Sequence, residues 1–210
     1  MNQLLIDLKN KLNPIVELIK DKNDVFYFDY PLHLNVGDLL IYHGTEQFFK
    51  DHNINVTLKR CEYDLDLEEV KAKITPNTTI LLHGGGNFGD LYPQHQKIRE
   101  EMVTNFQNNR IIVLPQTAYF KHEENLQKSA ALFRSHSVIA IYWLVTKERR
   151  IYLHNFQIMF ICHRTWRISF MEPWKRNKAK LVSSFTSYVK ILKQVISRKI
   201  SSRNYLPTAM

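Results

Sequence analysis

Three short segments of this 210-residue chain hold the residue types from which a binding or reacting site could be built: HLNVGD (33–38), HGGGNFGD (83–90) and PQT (115–117). Consecutive glycines let a backbone turn its N–H groups toward one point and let a ligand come close. Gly84, Gly85 and Gly86 with Asn87 are therefore candidates for an anion cradle, to which a following helix would add its positive dipole end. The same run also reads as a tight strand-to-helix turn with no ligand. His83 could donate to an oxyanion, act as a base, or simply be bonded to backbone. Asp38 and Asp90 each follow a glycine and precede a helical pattern, which suits a helix N-cap as well as a substrate hydroxyl. Asn35 could bond a sugar hydroxyl or shape its turn. The glycine spacing is not G-x-G-x-x-G and no Walker lysine follows, so neither nucleotide fingerprint is met. His33, His43 and His95 lack metal-ligand spacing and are expected in solvated or packing roles.

The surrounding pattern says how these segments are held. Leu4, Leu5, Leu8, Leu12, Val16 and Ile19 recur at helical spacing, with Pro14 expected to break or kink that helix. VFYFDY (25–30) reads as a buried strand, followed by a helix from about 39 to 50 that Asp38 could cap. A strand over 54–63, an acidic helix over 65–73 and a strand over 78–86 that runs into the glycines come next. They are followed by a helix over 91–108, a strand over 110–117, a helix over 122–136 and a candidate fifth strand over 138–145. Strands alternating with helices at this spacing predict an α/β fold, a Rossmann-like parallel sheet with flanking helices and right-handed crossovers. In such a sheet the three segments fall at the carboxyl ends of the strands, where ligands bind.

Charge divides the chain. Residues 1–140 carry 15 Lys and Arg against 18 Asp and Glu, whereas residues 141–210 carry 14 against 2. No glycine follows Gly89 and no aspartate follows Asp90, although turns and helix ends favour both residues. The expected division is a Rossmann-like domain over 1–140 and an irregular basic tail over 141–210. A patch of that kind could meet nucleic acid or anionic lipid, but its cations fall on no consistent helical face, so no nucleic-acid partner is expected. Cys61 and Cys162 are too few for a disulfide framework or a zinc site. The first twenty residues have charges spread through them, unlike a signal peptide, and the longest apolar stretches are too short to span a bilayer. A cytoplasmic protein is expected, with no metal.

The strings YPLHLNVGDLLIYHGTEQFF, ILLHGGGNFGDLYPQHQ and RIIVLPQTAYF, with a helix ending SAALFRSH, resemble the polysaccharide pyruvyl transferase family over about residues 24–136. The resemblance implies a two-domain, glycosyltransferase-B-like fold with the site between two Rossmann-like halves. It implies transfer of the enolpyruvyl unit of phosphoenolpyruvate onto sugar hydroxyls as a ketal, in exopolysaccharide and cell-wall polymer assembly. Phosphoenolpyruvate is then a donor substrate and no cofactor is expected; the acceptor is a sugar or a lipid-linked oligosaccharide, which allows peripheral association with the inner face of the membrane. Asn35, Gly37 and Asp38 would contact the acceptor, with His83, Gly84, Gly85, Gly86, Asn87, Asp90 and Gln116 forming part of the cleft.

After His136 the sequence departs from the family, which continues with an Arg-Asp-x-x-Ser segment and later a Pro-Asp-Met-Ala-like segment. Codons for WLVTKERRIY (143–152), read two nucleotides out of register, permit Arg-Asp-Lys-Gly-x-Ser-Tyr, with one residue more between Asp and Ser. The same shift applied to FICHRTWR (160–167) and the residues after it permits Tyr-Leu-Ser-Pro-Asp-Met-Ala-His. A frameshift near 137–142 is the expectation, leaving the enzyme truncated and inactive. A glycosyltransferase-like sugar-binding enzyme and a non-catalytic basic adaptor are the alternatives.

Overall fold

The computed structural model describes residues 12–136 and 138–143, together with Gln3, Lys9 and Asn10. Of the segment 141–210, expected to be out of frame or poorly folded, residues 141–143 end a strand and 144–210 lie outside the described residues. Among the described residues, five helices and six strands follow one another along the chain. Helix α1 (Asn13–Leu18) precedes strand β1 (Val25–Phe28), helix α2 (Val36–Asp51), strand β2 (Val56–Arg60) and helix α3 (Leu67–Lys73). Strands β3 (Thr79–Leu82) and β4 (Gly85–Gly89), helix α4 (Pro93–Asn105), strand β5 (Arg110–Tyr119), helix α5 (Glu123–Ser135) and strand β6 (Ile139–Trp143) complete it.

All pairings are parallel, as the alternation of strands and helices requires. Strand β1 lies between β2 and β3. Residues Ile111–Val113 of β5 pair with β3 and also with β6, so those two strands flank β5 on opposite sides. Gln116 pairs with both Gly85 and Trp143, which puts β4 on the β3 side. Strands β3 and β4 are thus one broken strand, and the layers run β2, β1, β3 with β4, β5, β6.

Side chains of the strands alternate between two cores. Phe26, Phe28, Ile80, Leu82, Ile111 and Val113 pack against α3, α4 and α5 through Val70, Met102, Val103, Ala130 and Phe133. Val25, Tyr27, Leu81, Ile112 and Leu114 face α1 and α2 through Ile15, Ile41, Phe48 and Phe49. Each fully buried aliphatic or phenyl side chain contributes about 1.5–3 kcal/mol. Truncating Phe28, which has no exposed surface, to alanine is expected to cost about 3–5 kcal/mol.

Several boundaries differ from the sequence reading for identifiable reasons. The strand expected over 78–86 ends at Leu82, and the glycines enter a separate strand rather than a turn into a helix. A Cβ on Gly84 would stand 2.7 Å from the Pro115 carbonyl oxygen, so β3 and β5 approach closely there. Pro115 has no N–H to donate, and pairing on both sides of β5 skips Leu114 and Pro115. Helix α2 starts at Val36 rather than Leu39. Its cap is Asn35, whose side chain accepts the Gly37 N–H at 2.9 Å, and Asp38 lies in the first turn instead. The helical pattern over 2–20 breaks at Pro14 as expected: Lys9 and Asn10 are helical, Leu12 is a turn, and Pro14 lies in the first turn of α1, where its missing N–H costs nothing. Cys61 is buried, and burial pushes its thiol up to about 12, consistent with a packing role.

Candidate functional site

Helix α2 leaves β1 toward one face of the sheet, and α4 leaves β3 and β4 toward the other. The crevice between β1 and β3 is therefore the point where the strand order reverses, the place where open α/β sheets hold their ligands. Two buried polar residues end those strands, Asp29 and His83.

Strand alternation alone would send the Asp29 side chain to the α2 face. Its backbone adopts φ 66°, a left-handed conformation that aspartate tolerates, and its carboxylate meets α4 instead. Oδ1 lies 2.6 Å from His95 Nδ1, and Oδ2 forms an ion pair with Arg99 Nη2 at 3.0 Å. The Asp29 N–H donates to the Arg60 carbonyl at 3.0 Å, which fixes the turn. Burial pushes the His95 imidazole down, but the hydrogen bond and charge of Asp29 outweigh it and hold the group above its ordinary value.

Arg99 is fully buried. Its guanidinium also donates to the Asn87 side chain at 2.7 Å, to the Asn87 carbonyl at 3.2 Å and to the His83 carbonyl at 3.3 Å. Gln116, equally buried, donates its amide to the same His83 carbonyl. One arginine thus ties together the ends of β1, β3 and β4. A buried ion pair of this kind contributes little net, but removing one partner strands a charge.

His83 has a different neighbourhood. Its Nδ1 shares a hydrogen bond with the Tyr27 hydroxyl at 2.5 Å, and Nε2 is buried without a partner. Burial, followed by the Arg99 charge, holds His83 well below its ordinary value, so the ring is neutral. Behind Tyr27, the Lys59 ammonium sits over the rings of Tyr42, Tyr30 and Tyr27 at 4.5, 5.1 and 5.6 Å, and donates to Tyr42 and Glu46. Burial lowers the Lys59 pKa, against the pull of Glu46.

The three segments singled out by sequence do converge. Asp38 Oδ1 lies 4.0 Å from where a Cβ on Gly85 would stand, and Thr117 Oγ1 lies 3.5 Å from the equivalent point on Gly86. Gly86 is exposed, and Asn35, Gly37 and Asp38 are exposed or half-buried beside it. The Asp38 carboxylate is 3.5 Å from His33 Nε2. The glycines do not open a helix, however, since the rest of β4 separates them from α4, which starts at Pro93. Asp90 caps no helix of its own segment. Its carboxylate accepts the N–H groups of Lys121 and His122 and the Asn125 amide at the start of α5.

Sequence reasoning missed Asp29, His95 and Arg99. The available signal was positional: an acid closing the apolar run VFYFD, and His95 and Arg99 on the same helical stripe as buried Met102. Among the described residues there is no group of three or more His, Cys, Asp or Glu that could hold a metal ion, and no helix long and apolar enough to cross a membrane.

Comparison with known proteins bears on this arrangement. The family profile of polysaccharide pyruvyl transferase matches residues 35–141. A Bacillus subtilis protein assigned as pyruvyl transferase EpsO is 42% identical over 148 residues, covering 70% of this chain and 44% of its own length. Pyruvyl transferase 1 of Schizosaccharomyces pombe is 34% identical over 128 residues, 59% of this chain and 31% of its own. The chain thus spans less than half the length of either relative. A crystal structure of a functionally uncharacterised Klebsiella pneumoniae protein superposes with a TM-score of 0.53 at 15% identity, over 78% of this chain and 57% of that one, and shares the fold. The family match begins at the residue that caps α2 and runs through all three converging segments, and on that basis the chain belongs to the polysaccharide pyruvyl transferase family.

Proposed function

We propose that this chain supplies the acceptor side of a pyruvyl transferase that moves the pyruvyl unit of phosphoenolpyruvate onto a sugar or lipid-linked oligosaccharide as a ketal. The observation that carries the reading is the convergence of Asn35–Asp38, His83–Asp90 and Gln116 at the strand-order reversal, inside the span that matches the family. In that reading the partly exposed Asn35 and Asp38 offer acceptors and donors suited to sugar hydroxyls. The donor needs no cofactor; it needs cations for its phosphate and carboxylate and an acid for its methylene carbon. The reaction takes place in the cytoplasm, at the inner face of the membrane where the acceptor is lipid-linked.

Incubation of the product of the frame-restored gene with phosphoenolpyruvate labelled in the pyruvyl carbons and a lipid-linked oligosaccharide tests the reading. Label in the saccharide with stoichiometric phosphate release is the expected result. Transfer of a labelled sugar from a sugar nucleotide, with none from phosphoenolpyruvate, would replace it with a glycosyltransferase.

The reading has a second element, that the frame is lost near residues 137–142. The absence of glycine after Gly89 and of aspartate after Asp90 supports it, as does the shifted Pro-Asp-Met-Ala reading of 160–167 and the residue after it. Sequencing the gene across codons 130–150 in three frames decides it. An intact frame would make the basic segment a true feature of the protein and revive the adaptor reading.

A further inference from the structure

We propose that Asp29 and His95 form an acid–base dyad, in which the buried carboxylate fixes the imidazole and leaves Nε2 as the single ring nitrogen open to a ligand hydroxyl or enol carbon in the crevice. The geometry is that of an oriented imidazole. Asp29 is 1% exposed and its Oδ1 takes Nδ1 at 2.6 Å, so only Nε2 remains to serve another group. The His95 side chain is 10% exposed, enough for one edge to reach the crevice, and exposed Leu91 and Tyr92 stand just ahead of it.

Asp29 is itself held at three points: its backbone is left-handed, its N–H donates to the Arg60 carbonyl, and its carboxylate pairs with Arg99. Packing alone does not require this arrangement, because a leucine at 95 and an apolar residue at 29 would fill the same space without burying an acid. Positions that keep a strained backbone and a buried charge at a strand-order reversal are those where function holds them. The charged and titratable groups that face His95 are Asp29 from the end of β1, Arg99 from its own helix, Glu62 after β2 and His83 from the end of β3. The ring of Tyr92 lies edge-on at 6.3 Å.

The chemistry closes on one residue if the pyruvyl transferase reading holds, and this assignment rests on it. The imidazolium gives its Nε2 proton to the methylene carbon of enolpyruvyl phosphate, converting it to a methyl group as C2 becomes electron-deficient. The sugar oxygen then bonds to C2 and its proton returns to Nε2, leaving His95 as it began. A second sugar hydroxyl displaces phosphate, which leaves with that proton, completing the ketal.

Two measurements separate the dyad from the reaction, the first on the full 210-residue chain and the second on the product of the frame-restored gene. The first follows the His95 ring protons by NMR as pH is raised, in the wild type and in Asp29→Asn. The dyad predicts a wild-type midpoint above about 6.5, moved below it in the variant. A wild-type midpoint at or below that value, or one that the Asp29→Asn substitution leaves in place, overturns the proposal. Where Asp29→Asn does not fold, carbethoxylation of the wild type, mapped by mass spectrometry, decides instead, with His95 expected to react and a wholly protected His95 overturning the dyad. The second measures label transfer from phosphoenolpyruvate in His95→Gln. A loss of about 100-fold in kcat with KM unchanged supports the assignment, and activity within about threefold of wild type overturns it while the transferase reading stands. If the 210-residue chain titrates as expected yet the frame-restored product moves no label, the dyad stands as an acid–base pair and the transferase reading falls.

Discussion

The Asp90 carboxylate accepts the backbone N–H of Lys121, thirty-one residues further along the chain, at 2.6 Å. It takes the His122 N–H at 2.9 Å as well, so the first turn of α5 is capped from another segment, while its own N-cap residue His122 makes no side-chain cap. Burial pushes the Asp90 carboxyl up, but the donors of Lys121, Asn125 and His122 outweigh it and hold it below the usual range. Asp90→Ala is expected to lower stability by about 1–2 kcal/mol, the loss of a strong cap, with Asp90→Asn losing less. Thermal unfolding of both variants checks this; a Tm unchanged in Asp90→Ala would return Asp90 to the candidate substrate contacts.

The glycine segment yields a sharper contrast. At Gly89 the backbone has φ 119° and a Cβ would stand 1.8 Å from the Tyr119 oxygen, whereas at Gly86 the nearest atom is 3.5 Å away. Gly89→Ala should force β4 off β5 and cost several kcal/mol, more than about 3. Gly86→Ala should change stability by less than about 0.5 kcal/mol. If Gly86→Ala keeps its stability but loses sugar or phosphoenolpyruvate binding, the exposed glycine is where a ligand approaches the backbone.

Asp29 and Arg99 should behave as one unit. Asp29→Asn alone leaves Arg99 an uncompensated buried charge, for which about 3–5 kcal/mol is expected, while Arg99→Met leaves Asp29 paired with His95 and should cost less. The double variant should cost clearly less than the two singles together, and a double-mutant cycle by urea unfolding measures the difference. Additive costs would show that Arg99 is held by the Asn87 and His83 contacts rather than by Asp29.

Acid should destabilise the fold before its carboxylates titrate. His83 is buried and held well below its ordinary value, so the unfolded chain takes up a proton first as pH falls through 6.5. Stability is then present above about 6.5 and declines below it, by at most about 1.4 kcal/mol per pH unit for this one group. His136, also lowered by burial, acts in the same direction. His95 acts oppositely: its contribution is present below 6.5 and is lost as pH rises through its raised value. A Tm that falls between about pH 7 and 5.5, with a shallower slope in His136→Gln, is the expected outcome; a flat profile would place His83 in contact with water.

The alternation of VFYF, VTLKR, TILL and RIIVL with helical segments made the parallel sheet legible, because period and spacing are local properties of the chain. The convergence of the three loops followed from that topology. What stayed hidden depended on distance in sequence. Asp29 looked like the tail of a strand until its left-handed backbone turned it onto α4, and His95 was dismissed for lack of a metal partner when its partner was a carboxylate sixty-six residues away. The glycines read as a helix-opening turn because nothing local announces that β5 offers them a strand to pair with. Asn35 and Asp38 are both good caps, and only the Gly37 hydrogen bond chooses between them.

Among the described residues strand β2 pairs with β1 alone and forms one flank of the sheet. It is five residues long, and its last two carry a Lys and an Arg anchored by Glu46 of α2 and Glu69 of α3 on opposite faces. Charged side chains on a flanking strand disfavour the addition of a foreign strand. The same lysine backs Tyr27, so one side chain links the flank of the sheet with the furnishing of the crevice.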